Sequence, residues 1–313
     1  MAMRAEFINP EQTEQAREVA HPLYADYVLD ALQAWRAAGL RTALVTLVGI
    51  NGSSPRPLGS QIAVASDGCA VGAVTGGCAE QAIVLDALTA MANGRNHLEL
   101  YGKGSRFKDI ILPCGSGVYL YFDVTLSDKA LDHLVASRAA RRLAVYQCEN
   151  AEGRFERIYR PQTRLLLFGR GNVLPPLAQM THLNEIETLV FCPDEWTRQK
   201  CQPFSQVFPL TSADDWRPDL IDQDTAVVSL FHDHSYEPTI LSAALRSNAF
   251  YIGALGSQRT HQTRLADLSQ HGWGKKDTDR IAGPVGLDIG AKTPPEIAIS
   301  IIAEIIATYR IGR

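Results

Sequence analysis

The chain has 313 residues, enough at ~150 per domain for two hydrophobic cores. Hydrophobic residues make up 46% and charged residues 20%, a balance that excludes disordered and fibrous classes. Thirty basic against thirty-four acidic residues leave a formal charge of -4, so no positive excess exists to hold nucleic acid or an anionic membrane surface.

At the N-terminus Glu6 intervenes before any apolar run can build, so neither a secretory signal nor a transit peptide is expected. No uncharged run reaches the ~18 apolar residues that a spanning helix needs, and a cytoplasmic location follows as the expectation. Leu23, Tyr27, Val28, Ala31, Leu32 and Trp35 recur at helical spacing, and Gly39 stands where a helix would stop. Residues 42–48 alternate and are β-branched, 61–65 form a second strand, 66–68 a turn and 71–74 a third strand. After Gly76-Gly77 the period changes: Ile83, Val84, Leu88 and Met91 predict a helix over 78–93 that ends at Gly94. Further strands flank residues 113–117, a helix is expected over 127–142, and 144–149 with 155–159 read as a hairpin.

From Arg164 the pattern restarts. Short, wholly apolar runs at 165–168, 188–191, 226–231 and 250–255 alternate with helical stretches, as strands buried on both faces do. Thr293, Pro294 and Glu296 form a capping box, and Ile297, Ile301, Ile302, Ile305 and Ile306 continue it as an apolar stripe. The fold class expected is therefore α/β. A mixed α+β domain over 1–162 precedes a Rossmann-like, doubly wound parallel-sheet domain over 163–313.

Six cysteines without a CxxC pair predict reduced thiols and neither a disulfide framework nor a zinc site. Two of them have a context of their own. Cys78 follows Gly76-Gly77 at the start of a predicted helix, where free amides and the helix dipole favour a thiolate, although a small buried hydrophobe fits the same position. Glu80, in the first turn, can cap amides or meet a ligand. Cys114 precedes Gly115-Ser116-Gly117, backbone that can approach a ligand closely or simply form a tight hairpin. Thiolates in two such turns suit a soft metal or sulfur. Arg56 stands among small hydrogen-bonding residues in a loop able to hold a phosphate, or in a plain connection.

In the second half Gly169-Arg170-Gly171 follows an apolar strand in the manner of a dinucleotide fingerprint. The third glycine is replaced by Leu174. The next strand ends Phe191-Cys192-Pro193-Asp194, with the acid two residues late, so ordinary NAD binding is not expected, while a phosphate at the helix start remains open. His232-Asp233-His234 follows another strand, at the sheet end where ligands bind; with no third ligand evident, ligand contact or helix capping is favoured over a metal. Ser257 and Arg259 follow a further glycine turn and are placed to meet an anion.

These residues resemble the XdhC/CoxI family over most of the chain. The resemblance rests on residues 52–56, 67–68, 75–80 and 113–115 in the first half, and on 251–259, 284–291 and 293–304 in the second. It implies a chaperone without turnover that binds and protects a molybdopterin-type molybdenum cofactor, or its cytosine dinucleotide form. The chaperone would work with a cysteine desulfurase and hand the cofactor to an apo-molybdoenzyme of the xanthine dehydrogenase or aldehyde oxidoreductase type. The same resemblance makes Cys78 and Cys114 the thiols that contact molybdenum or sulfur, with Gly76, Gly77 and Glu80 shaping their turn. The sequence departs from the family at Asn172 and Cys192, where histidine and aspartate are common, and this counts against nucleotide binding by that turn. An NAD(P)-dependent oxidoreductase and a docking scaffold with no cofactor are the alternative readings, and a homodimer is the base expectation.

Overall fold

The computed structural model describes residues 26–77, 79–107, 112, 115–231 and 236–311. Leu23, Cys78, Cys114 and His232, all named above, lie outside the described residues. Two compact units divide the chain, the first ending at Arg160 and the second beginning at Pro161.

The first unit is built on a five-stranded antiparallel sheet. Its strands are β1 (Thr42–Asn51), β2 (Gln61–Ala65), β3 (Ala70–Gly72), β4 (His97–Gly102) and β5 (Gly117–Asp123), in the order β3-β2-β1-β5-β4. Helix α2 (Glu80–Asn93) covers one face through Ile83, Val84 and Ala87, which pack on Ala43, Val45 and Leu47. On the other face, α1 (Leu29–Ala37), α3 (Asp128–Ala139) and the hairpin β6 (Ala144–Asn150) with β7 (Gly153–Tyr159) pack on Leu44 and Val48. Residues 42–48, expected as a strand, are buried on both faces, because each face carries its own layer. The pairing of β1 with β5 shifts between Leu47 and Gly49, a bulge that brings Asn51 opposite Gly117 at the sheet's end.

The second unit is a parallel sheet of six strands: β8 (Arg164–Gly169), β9 (Glu187–Cys192), β10 (Gln206–Pro209), β11 (Thr225–Leu230), β12 (Tyr251–Ala254) and β13 (Ile281–Ala282). Their order is β10-β9-β8-β11-β12-β13, the Rossmann arrangement in which the direction of winding reverses between β8 and β11. Alternate residues of β8 feed two cores. Leu165 and Leu167 pack under α4 (Leu174–Leu183) and α9 (Pro294–Ile311), while Leu166 and Phe168 pack under α6 (Glu237–Leu245) and α7 (Gln258–Gln270). Glu296 accepts hydrogen bonds from the backbone N–H groups of Lys292 and Thr293, so the expected cap does start α9.

A buried ion pair ties the second unit together at the carboxyl end of its sheet. Glu237 and Arg264 are each 3% exposed and 2.8 Å apart. Ser229 of β11 donates to the Glu237 carboxylate, and Arg264 also donates to the Leu255 carbonyl. The pair thus joins α6, α7 and the ends of β11 and β12. Arg264→Ala leaves a buried carboxylate without its counter-charge and is expected to cost about 3–5 kcal/mol. The double change Glu237→Leu with Arg264→Met should restore most of that loss, as read from urea unfolding of the full chain.

Candidate functional site

Three segments of the first unit meet at one end of its sheet. Asn51 of β1 and Gly102 of β4 both pair with Gly117, the first residue of β5. A Cβ on Gly52 would lie 3.3 Å from Ser116, and one on Gly76 would lie 3.3 Å from Pro55. The loop 52–57 therefore touches both the turn that leads into α2 and the turn that leads into β5. The described residues that flank Cys78 and Cys114 belong to these two turns.

Glu80 builds the first of them. Its side chain is buried, and its carboxylate accepts from the backbone N–H of Val74 (3.2 Å), Thr75 (2.8 Å), Gly77 (2.8 Å) and Ala79 (3.2 Å), and from the Thr75 hydroxyl. Burial works against its charge, but the hydrogen bonds from Thr75 and the neighbouring amides outweigh that and hold its carboxyl below the usual glutamate range. These bonds draw the backbone of Val74, Thr75, Gly77 and Ala79 around the side chain, and α2 starts at Glu80, two residues later than its periodicity predicts. Gly76 and Gly77 supply the positive φ angles, +80° and +108°, that the wrap requires. The carboxylate occupies the anion position of this turn from within. Among the described residues, no atom lies within 4 Å of a Cβ added to Gly77 or Gly115.

Arg56 is ion-paired with Asp26 at 2.5 Å, and its backbone N–H is held by the Ser54 hydroxyl. Gly115 donates its N–H to the Leu112 carbonyl across the second turn.

In the second unit a cavity of about 530 Å³ opens where the winding reverses. Arg170, Gly171, Asn172, Val173, Asp194, Trp196, Thr197, Leu230 and Leu255 line it. Gly169 has φ +147° and packs so closely on Leu230 that a Cβ would come within 2.9 Å, whereas among the described residues nothing lies within 4 Å of a Cβ on Gly171, at φ +95°. The Gly171 N–H is held by the Thr197 hydroxyl at 3.1 Å. Ser257 and Arg259 are not among the lining residues. Ser257 caps α7 by accepting from the Thr260 N–H, and Arg259 is exposed.

Sequence reasoning placed no weight on Trp196, whose signal was one aromatic beside a strand-end acid. Nor did it find the Glu237–Arg264 pair, whose partners stand 27 residues apart. Residues 251–304 carry a different role. The Glu304 carboxylate accepts from the Tyr251 hydroxyl and from the Gly286 N–H, and a Cβ on Gly253 would overlap Val285. Among the described residues, no cluster of three histidines, cysteines or acids could hold a metal ion, and no helix is long and apolar enough to cross a membrane.

Two family models match the chain: "XdhC and CoxI family" over residues 35–102 and "XdhC Rossmann domain" over residues 165–305. The "Molybdenum cofactor insertion chaperone PaoD" of Escherichia coli (strain K12) is 33% identical over 302 residues, covering 91% of this chain and 87% of that protein. This chain belongs to the XdhC/CoxI family. A probable xanthine dehydrogenase component of Bacillus subtilis (strain 168) is 33% identical over 160 residues, 48% of this chain and 44% of that protein. A crystal structure of a xanthine dehydrogenase from Bacillus halodurans superposes with a TM-score of 0.76 over 91% of this chain and 96% of that one. At 23% identity it speaks for the shared fold.

Within this XdhC/CoxI chain the turn before α2 depends on one carboxylate. Glu80→Gln keeps the volume but turns an amide NH₂ toward backbone donors. A loss of about 2 kcal/mol is expected, checked by thermal unfolding of the full chain, and Glu80→Asp should fail to rescue it because the shorter side chain cannot reach the same amides.

Proposed function

We propose that this protein binds a molybdopterin-type molybdenum cofactor at the joined turns of its first unit and inserts it into a molybdoenzyme of the xanthine dehydrogenase type. The observation that carries this reading is the kinship over nearly the whole chain with a molybdenum cofactor insertion chaperone. The local chemistry supports it. Among the described residues nothing stands within 4 Å of a Cβ on Gly77 or Gly115, and in the sequence a cysteine neighbours each of them, at positions 78 and 114. Soft thiolates suit molybdenum and the sulfur that surrounds it.

In this reading the cofactor is cargo, and the protein is a maturation factor without turnover of its own. Cys78 and Cys114 contact molybdenum or its sulfido ligand. Glu80 acts indirectly, because its own hydrogen bonds fix the turn that carries Cys78. The cofactor arrives in its sulfurated form from a cysteine desulfurase, and its cytosine dinucleotide form is a variant of the same cargo. The chaperone works as a homodimer in the cytoplasm.

The test is to express the protein in a host that makes molybdopterin, purify it without oxygen, and quantify bound pterin by fluorescence and molybdenum by elemental analysis. Near-stoichiometric pterin is expected in the wild type, falling at least about fivefold in Cys78→Ala with the fold unchanged by circular dichroism; loss of one metal or sulfur ligand at an otherwise intact site costs on the order of 10-fold in affinity. If neither protein carries pterin, even when offered free cofactor, the insertion reading fails and a docking scaffold takes its place.

A further inference from the structure

The cavity beside Gly171 lies wholly in the second unit and takes no part in the thiol chemistry proposed for the first. It sits where open α/β sheets hold their ligands, outside the carboxyl ends of the strands at the reversal of winding. Its volume of about 530 Å³ is that of a small-molecule site.

The walls have distinct chemistry. Trp196, 52% exposed, offers a large flat apolar face at the cavity while Trp35 and Trp216 are buried in the cores. An exposed indole lining a cavity is a stacking surface for a flat ring. Asp194 lines the same space and ends the loop after β9, the strand whose end meets the ribose in dinucleotide folds. One carboxylate oxygen of Asp194 caps α5 (Glu195–Cys201) by accepting from the Thr197 N–H at 2.9 Å. A carboxylate has about four acceptor positions; the Thr197 amide and hydroxyl and the Cys192 thiol take three of them, which leaves one for a ribose hydroxyl.

Cys192 explains how the acid can stand two residues late. Burial pushes its thiol up to about 11, so it stays protonated, and its S–H lies 3.4 Å from the second Asp194 oxygen. The thiol at the strand end thus supports the carboxylate instead of replacing it. Hydrogen bonds from the Thr197 hydroxyl and amide overcome the effect of burial and keep Asp194 ionised, held below the usual aspartate range. A negative charge there repels a 2′-phosphate and favours free ribose hydroxyls. Arg170 and the open backbone of Gly171 complete the wall on the side where a nucleotide's phosphate would lie.

We infer that this cavity is a ribonucleotide site, with the base on the Trp196 indole and a ribose hydroxyl on Asp194. The ligand is either the nucleotide half of a dinucleotide cofactor or a free nucleotide. The inference does not rest on the chaperone reading.

Titration calorimetry of the full chain against CDP, ADP, 2′-deoxy-CDP, NADP and inorganic phosphate tests it. A ribonucleotide diphosphate should bind, 2′-deoxy-CDP and NADP more weakly, and inorganic phosphate weakest. Trp196→Ala should weaken ribonucleotide binding about tenfold or more, the scale of one lost base–aromatic stack. Asp194→Asn keeps the helix cap and should erase the preference for ribose over deoxyribose. A second readout needs no variant: bound nucleotide should shield Trp196 fluorescence from acrylamide. CDP bound more tightly than ADP assigns the site to a cytosine dinucleotide cofactor, and equal affinities assign it to free nucleotides. No binding at millimolar nucleotide, phosphate binding as tight as CDP, or an unchanged affinity in Trp196→Ala would each overturn the inference. Pterin retention is measured separately, so failure here leaves the first unit's reading intact.

Discussion

Backbone N–H groups in a turn stripped of side chains must find acceptors, and the acceptor each glycine turn finds decides what that turn can offer a ligand. In the first unit the acceptor is Glu80, whose carboxylate gathers four amides and one hydroxyl. Four amides of that turn are thereby taken up by the protein's own carboxylate.

The second unit meets the same demand differently. Thr197 takes the Gly171 N–H and Ser257 takes the Thr260 N–H, so uncharged hydroxyls do the work that a carboxylate does in the first unit. The space before Gly171 stays open. The buried charge pair of Glu237 with Arg264 is spent on joining strand ends and helices. Many of the residues that mark the family most clearly, Tyr251, Gly253, Gly286 and Glu304 among them, meet one another in packing and hydrogen bonding. They identify the fold. The cavity's own lining comes from other positions, Asp194 and Trp196 above all.

Much of the architecture was legible in the order of residues. The strands at 61–65 and 165–168, the hairpin over 144–159, the stop at Gly94 and the cap of α9 follow from period, β-branching, glycine and a capping box, and each reappears in the fold. All are short-range signals. The start of α2 was misjudged because periodicity continues through residues whose amides are diverted to Glu80. The alternation of residues 42–48 did not reveal that a layer covers each face of that strand. Of the candidate site residues, Gly76, Gly77 and Gly115 stood out by their glycine turns, and Ser257, read as placed to meet an anion, caps α7 through the Thr260 N–H.

By itself the sequence determined the parallel character of the second half, because periodicity acts over a few residues to a few tens, and its motifs carried the resemblance to the family. The tertiary structure decided which polar groups are spent and which remain available. Glu80 is consumed by its own turn, Arg264 is matched to a carboxylate 27 residues away, and Thr197 reaches a glycine 26 residues back. Those partners are chosen by the packing of whole elements, and a buried polar group's chemistry is set by the partner it finds.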